Sequence, residues 1–128
     1  RNMDDVEACL NRIDDETDMV VTITDTSHSP WFNMVRPTKD GYVRLLIEGE
    51  VRYTRRQDVP LAFDMSTVAY VTRPDFIRQV NGVFEGRIKA VKIPEERATD
   101  IDTELDFQIA EFLMQNRSNR NMELPRAK

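Results

Sequence analysis

Apolar residues recur along the chain with two different periods, and these predict alternating helices and strands. A near-continuous apolar run over 19–24 is typical of a buried strand, and the apolar residues Ile88, Ala90, Val91 and Ile93 predict another over 87–93. The apolar positions over 102–116 instead fall at helical spacing and indicate an amphipathic helix. Together these elements predict an α/β sheet with helices packed on it. The predicted helices cover 4–13, a short segment from Pro74, and 102–116, and the predicted strands cover 19–24, 33–36, 42–47, 66–72 and 87–93.

Turn and loop residues indicate how these elements are organised into a domain. The segment 37–41, Pro-Thr-Lys-Asp-Gly, is a hairpin signal between two short strands, and the basic segment 49–60 predicts a loop. A doubly wound domain usually begins with a strand and a glycine-rich phosphate-binding turn, and the four glycines form no such turn. We therefore expect 1–116 to be the later part of a larger domain, with an inserted hairpin and loop over 30–60 and a polar tail over 117–128.

Composition and charge exclude some classes of partner. The net charge of -5 argues against a broad basic surface for nucleic acid, and no apolar run is long enough to span a bilayer. The single cysteine, Cys9, excludes an internal disulfide and favours a reducing compartment, which we take to be the cytoplasm. We expect neither nucleic acid nor a membrane as a partner.

The segment between the last predicted strand and the last helix carries two carboxylates, Asp100 and Asp102. Carboxylates one residue apart at such a junction can aim their oxygens at one hard cation such as Mg²⁺. The alternative is that Asp102 is the N-cap of the helix, with Thr103 and Glu104 in its first turn. Both interpretations can hold together, because one oxygen of Asp102 can cap while the other binds a metal ion.

Two further segments hold candidate binding residues. The guanidinium groups of Arg55 and Arg56 could clamp a carboxylate or phosphate by paired hydrogen bonds. The alternative is a solvated basic loop whose charges pair with acidic groups of this protein. Tyr70 lies on a predicted strand, where its hydroxyl could reach a ligand at the end of the sheet or its ring could fill the core.

Taken in order, these segments resemble the acylneuraminate cytidylyltransferase family, which includes the CMP-sialic acid synthetases. The resemblance extends over nearly the whole chain up to the tail. Its most specific elements are Arg-Gln-Asp-x-Pro and Asp-Ile-Asp-Thr, in this order. The segments that carry it are 4–9 (DDVEAC), 20–24 (VVTIT), 28–30 (HSP), 55–60 (RRQDVP), 68–71 (VAYV) and 94–107 (PEERATDIDTELDF).

The resemblance implies a Rossmann-like nucleotidyltransferase sheet and a reaction. Such an enzyme transfers CMP from CTP to an acidic nonulosonic-type sugar and releases pyrophosphate. By the resemblance, Asp100 and Asp102 hold the Mg²⁺ that engages CTP, and the hairpin over 30–60 matches an arm that family members exchange in forming homodimers. The residues that the resemblance places at the sugar are Arg56, Gln57 and, with a weaker match, Arg55, together with Tyr70 and Phe84.

The chain departs from the family pattern in two respects. The family motif Asn-Gly-Ala-Ile-Tyr is replaced by Ser-Thr-Val-Ala-Tyr over 66–70, so we expect an acceptor other than sialic acid itself. The family's nucleotide-binding loop and its cytosine-selecting region are absent from this chain, so we expect the isolated chain to be inactive. Two alternatives stay open, a nucleotidyltransferase for another sugar or nucleotide, and a non-catalytic dimerisation fragment.

Overall fold

A computed structural model describes residues 1–123, and side chains as far as residue 116. The chain divides into two units, of which unit 1 is Arg1–Thr24 with the chain from Met65 onward, and unit 2 is Asp25–Asp64. Short 3-10 turns cover Arg56–Asp58 and Val83–Glu85. The helices are α1 (Met3–Arg12), α2 (Pro74–Gln79), α3 (Glu95–Ala98) and α4 (Glu104–Glu123), and the strands are β1 (Met19–Asp25), β2 (Val35–Pro37), β3 (Val43–Leu45), β4 (Phe63–Thr72) and β5 (Ile88–Lys92).

Unit 1 is built on a three-stranded sheet with β1 at its centre, between β4 and β5. β1 and β5 are parallel, with Met19 opposite Ile88. β1 is buried along most of its length as expected, but no residue of β5 is buried, so the prediction of a buried strand is wrong for β5, whose Lys89 and Lys92 interrupt the apolar run. The Thr72 hydroxyl donates to the Asp18 carbonyl at 2.8 Å, and the Thr22 hydroxyl donates to the Ser66 carbonyl at 3.0 Å. The end of β4 therefore lies beside the start of β1, so these two strands are antiparallel. The predicted α/β class is confirmed as a mixed sheet with helices.

The apolar core of unit 1 is small. Helix α1 packs on β5 and places Cys9 against the sheet, where it is fully buried. Burial raises the pKa of the Cys9 thiol, and the nearby charge of Asp5 raises it further. The thiol is therefore kept protonated and unreactive. The buried apolar side chains are Cys9, Met19, Val20, Val21 and Ile93.

A buried ion pair joins α1 to α3. The Arg97 guanidinium donates to both carboxylate oxygens of Asp5, at 2.8 and 3.0 Å, and Asp5 is only 3% exposed. This bonding raises the pKa of Arg97 above its usual value. The Asp5 amide also donates to the side chain of Asn2, the N-cap of α1. Because both oxygens of Asp5 are bonded to Arg97, separating α1 from α3 would leave a charge with little access to water.

Unit 2 is a hairpin with its loops. Strands β2 and β3 are antiparallel, with Val35 opposite Leu45. The Thr38 amide donates to the Tyr42 carbonyl at 2.9 Å, and Gly41 has a φ of 86°, which favours glycine. The hairpin predicted around 37–41 is therefore confirmed. Several of its apolar side chains are exposed, namely Val35, Tyr42 and Val43.

Helix α4 differs from the prediction at both ends. It begins at Glu104 and continues to Glu123, so residues 117–123 of the predicted polar tail are helical, while 124–128 lie outside the described residues. The apolar side chains at helical spacing, Leu105, Ile109 and Phe112, are exposed rather than packed on the sheet. No helix in the described part of the chain combines the length and the apolar character that crossing a membrane requires.

A cluster of charges lies where β1 and β5 begin. The Asp14 carboxylate accepts hydrogen bonds from Lys89 and from the Thr17 hydroxyl, the latter at 2.6 Å. These two hydrogen bonds lower the pKa of Asp14 from 3.8 to about 2, and the bond from Lys89 contributes more than the bond from Thr17. Because the folded pKa is the lower one, the ionised carboxylate stabilises the fold above pH 4, and this contribution is lost as the pH falls towards 2.

We predict that Arg97→Met lowers the free energy of unfolding by about 3 kcal/mol, since it leaves Asp5 as a buried and unpaired charge. Urea unfolding followed by circular dichroism measures the loss. Arg78→Met is the matched control, because Arg78 pairs with Asp75 where both side chains are exposed, and it should cost no more than about 0.5 kcal/mol. Equal losses for the two variants would contradict the role given to the buried pair.

We predict that Lys89→Met raises the pKa of Asp14 from about 2 towards 3.8, because it removes the largest cause of the lowered value. The carboxyl carbon of Asp14, followed by NMR between pH 1.5 and 6, reports this value. Lys39→Met in the hairpin should leave it unchanged. An Asp14 titration that is the same in the Lys89 variant and in the unmodified protein would show that the bond to Lys89 is not formed in solution.

Candidate active site

The Asp100 carboxylate lies between α3 and α4 and is hydrogen-bonded to β4. The Thr67 hydroxyl is 2.7 Å from Oδ1 of Asp100 and 2.9 Å from Oδ2. Arg1 Nη2 lies 2.8 Å from the same Oδ1 and 3.2 Å from the Thr67 hydroxyl. The side chain of Asp100 is still 44% exposed. Asp100 is thus oriented by a hydroxyl and a cation, and it remains accessible to solvent.

The position of Thr67 follows from an irregular stretch of β4. The buried Thr22 hydroxyl on β1 donates to the Ser66 carbonyl and accepts from the Ala69 amide at 3.2 Å. Ser66 is itself buried, and its hydroxyl accepts from the Val68 amide. Successive side chains of a strand point to opposite faces, so Thr67 points outward when Ser66 points inward. This places the Thr67 hydroxyl against Asp100.

The first turn of α4 is capped by Thr103 and Asp106. The Thr103 hydroxyl accepts from the Asp106 amide at 3.2 Å, and Oδ2 of Asp106 accepts from the Thr103 amide at 2.8 Å. This reciprocal pair is a capping box. The Thr103 hydroxyl also donates to Oδ2 of Asp106 at 2.7 Å, and this bond, together with the one from the Thr103 amide, lowers the pKa of Asp106. The interpretation of Asp102 as the N-cap is therefore wrong, and Asp102 contributes only its backbone amide, which donates to Asp106.

Asp100 and Asp102 offer carboxylate oxygens, the ligand type that Mg²⁺ prefers. Both side chains are exposed carboxylates, one residue apart. Within the described residues, no three His, Cys, Asp or Glu side chains gather as an all-protein metal cage would require. Mg²⁺ is usually bound by only one or two carboxylates, with water and substrate phosphates as the other ligands. The two aspartates supply that number of carboxylates.

Tyr70 and Phe84 also belong to unit 1, and both have exposed rings. Tyr70, on β4, is 42% exposed, and Phe84, in the turn Val83–Glu85, is 72% exposed. Exposure on this scale does not agree with the core-filling alternative for Tyr70. An exposed aromatic ring is able to pack against the apolar face of a ligand.

The basic residues of the predicted loop belong to unit 2. Arg55 Nε is 2.9 Å from Oδ2 of Asp58, so Arg55 is paired with an acidic group as the alternative interpretation expects. Arg56 Nη2 donates to the Ser27 carbonyl at 2.7 Å, which uses one of its five N–H donors. Gln57 is exposed in the turn Arg56–Asp58. Of the two arginines, Arg56 is the one not paired with a carboxylate in the described structure.

Sequence reasoning missed Thr67 and Arg1, the two residues that bond to Asp100. No motif signals these contacts, because Thr67 is 33 residues and Arg1 99 residues from Asp100 along the chain. The only sequence signal at Thr67 is its place in 66–70, where the chain departs from the family motif.

No protein-family model matches the chain. The chain is 33% identical over 103 residues to the post-translational flagellin modification protein B of Campylobacter coli, a match that covers 80% of this chain and 43% of that protein. It is 32% identical over 95 residues to the CMP-N,N'-diacetyllegionaminic acid synthase of Campylobacter jejuni subsp. jejuni, covering 74% of this chain and 39% of that protein. The chain thus spans less than half the length of both relatives. With Asp-Ile-Asp-Thr at 100–103 in the same chain, these similarities make it a distant homologue of the acylneuraminate cytidylyltransferases.

Proposed function

We propose that this chain contributes the metal and acceptor part of an enzyme that transfers CMP from CTP to an acidic nonulosonic-type sugar. The products are a CMP-sugar and pyrophosphate. The observation that carries the proposal is the exposed pair of Asp100 and Asp102, in a chain homologous to a protein named as a CMP-N,N'-diacetyllegionaminic acid synthase. In the proposed enzyme, β1 and β5 belong to a larger Rossmann-like sheet. CTP is bound mainly by elements that this chain does not contain.

The proposed reaction is attack of the anomeric hydroxyl of the sugar on the α-phosphorus of CTP. A new oxygen–phosphorus bond forms, the bond to the β-phosphate oxygen breaks, and the hydroxyl proton is released. Bound Mg²⁺ would neutralise phosphate charge at this centre. Asp100 and Asp102 would hold the cation, and their accessible oxygens leave room for phosphate and water ligands.

Recognition of the acidic sugar is assigned to five residues. Arg56 has guanidinium donors beyond the one bonded to Ser27, and a guanidinium matches a carboxylate by two parallel hydrogen bonds. Gln57, next to it, is exposed and offers an amide to a sugar hydroxyl. Arg55 would act indirectly, because Asp58 occupies it. Tyr70 and Phe84 would contribute their exposed rings.

The acceptor that fits best is a nonulosonic acid other than sialic acid. Ser66 and Thr67 stand where the family motif Asn-Gly-Ala-Ile-Tyr has Asn and Gly. This replacement alters the surface beside Asp100, to which Thr67 is hydrogen-bonded. The relative from Campylobacter jejuni is named for a legionaminic acid derivative. We place the reaction in the cytoplasm, which suits the free thiol of Cys9.

Unit 2 is proposed as a homodimerisation arm. The hairpin over 30–60 exposes Val35, Tyr42 and Val43, which a second copy could cover. The same observation supports the second candidate, a dimerisation module without catalysis. A nucleotidyltransferase for another nucleotide or sugar is the remaining alternative.

We predict that the longest natural form of this chain releases pyrophosphate from CTP with Mg²⁺ and one of a panel of nonulosonic acids. Asp102→Asn keeps the side-chain shape but removes the charge that holds the metal, so it should lower kcat at least about 100-fold. Asp106→Asn is the control, because it changes the capping box rather than the metal pair. Release that persists unchanged in the Asp102 variant would rule out the metal assignment. No release with any acid would favour another nucleotide or the non-catalytic module.

We predict that Arg56→Lys raises the KM for the sugar acid about tenfold, because lysine keeps the charge but loses the paired hydrogen bonds. The KM for CTP should change less than about twofold. Arg52→Lys, in the same loop, is the matched control and should leave both values unchanged. A comparable rise in both KM values for Arg56→Lys would place Arg56 away from the acceptor.

A further inference from the structure

The hydrogen bond between Thr67 and Asp100 connects the sheet to the carboxylate pair. The Thr67 hydroxyl lies 2.7 and 2.9 Å from the two oxygens of Asp100, so its single proton can be donated to either. A terminal carboxylate turns about a soft torsion, with a broad and roughly two-fold preference. A hydroxyl held against both oxygens restricts that rotation.

The Thr67 hydroxyl is itself held in place from two sides. Arg1 Nη2 lies 3.2 Å from it, so the oxygen accepts from a cation while its proton is donated to Asp100. Hydrogen bonds that are linked in such a chain polarise and strengthen one another. A threonine side chain is also stiff at its first torsion, and the backbone on both sides of Thr67 is held by Thr22.

We propose that Thr67 is a positioning residue for Asp100, which fixes the orientation in which that carboxylate meets a divalent cation. This inference rests on the proposed function. An ionised carboxylate offers about four lone-pair positions, and one hydroxyl uses one of them. Arg1 also bonds to Oδ1, so Oδ2 keeps more of its capacity for a cation. Loss of a residue that orients a metal ligand in this way typically lowers the metal affinity about 10- to 100-fold.

The test is direct binding of Mn²⁺, used as a paramagnetic substitute for Mg²⁺, to the longest natural form of this chain. Free Mn²⁺ is measured by electron paramagnetic resonance, without nucleotide or sugar, so the result does not depend on turnover. Thr67→Val keeps the shape of the side chain but removes the hydroxyl, and β-branched valine suits a strand. We expect it to weaken Mn²⁺ binding about tenfold.

Thr67→Ser retains the hydroxyl and should bind Mn²⁺ within about threefold of the unmodified protein. Thr54→Val, an exposed threonine in unit 2, is the matched control and should have no effect. Circular dichroism checks that each variant is folded. An unchanged Mn²⁺ affinity in the valine variant would overturn the role of Thr67. Equal losses of affinity in the valine and serine variants would also overturn it, because the hydroxyl would then not be the cause.

The same experiment separates failure of this inference from failure of the proposed function. If Asp102→Asn abolishes Mn²⁺ binding while Thr67→Val leaves it unchanged, the metal assignment stands and the role of Thr67 is wrong. If the unmodified protein binds no Mn²⁺, or if Asp102→Asn binds it normally, the carboxylate pair is not a metal site and both proposals fall. Mn²⁺ binding that is about tenfold weaker in Thr67→Val and close to normal in Thr67→Ser supports both the metal assignment and the role of Thr67.

Discussion

The buried ion pair between Asp5 and Arg97 is the constraint on which the arrangement of unit 1 depends. The apolar core is small, so burial of hydrophobic surface alone leaves the position of the short helix α3 weakly determined. Separating a charge that has almost no access to water from its partner is strongly destabilising. Asp5 thereby holds Arg97, which lies three residues before Asp100 in the chain. The ion pair thus anchors α3, and with it the start of the segment that carries Asp100 and Asp102.

The sequence predicts those features whose cause is local. The near-continuous apolar run over 19–24 identifies β1 as a buried strand, because such a run is typical of a strand with both faces covered. The run over 87–93 is interrupted by Lys89 and Lys92, and β5 is only partly buried. The hairpin is predicted because Gly41 can adopt a positive φ at the point where the chain reverses. The spacing of Thr103 and Asp106 is also a local signal, a Thr followed three residues later by an acid, and it would have identified the true cap of α4.

Features that depend on distant residues could not be predicted in this way. The contact between Thr67 and Asp100 joins a strand to a loop 33 residues later, and neither residue type specifies the other. The partners of the basic loop residues are a second case. Arg55 and Arg56 are adjacent and carry the same charge, yet Arg55 pairs with Asp58 and Arg56 donates to the Ser27 carbonyl. The exposed apolar side chains of α4 are a third case, because periodicity predicts an apolar face and does not say what covers it.

The antiparallel arrangement of the neighbouring strands β1 and β4 determines what kind of connection can join them. The end of β1 and the start of β4 lie at the same end of the sheet, and a connection of only a few residues is enough to join two such antiparallel strands. Unit 2 is therefore an elaborated hairpin turn, inserted where the sheet tolerates almost any length of chain. A change in the length of unit 2 therefore requires no change in the order or direction of the strands of the sheet, and the segment that carries Asp100 lies in the other unit.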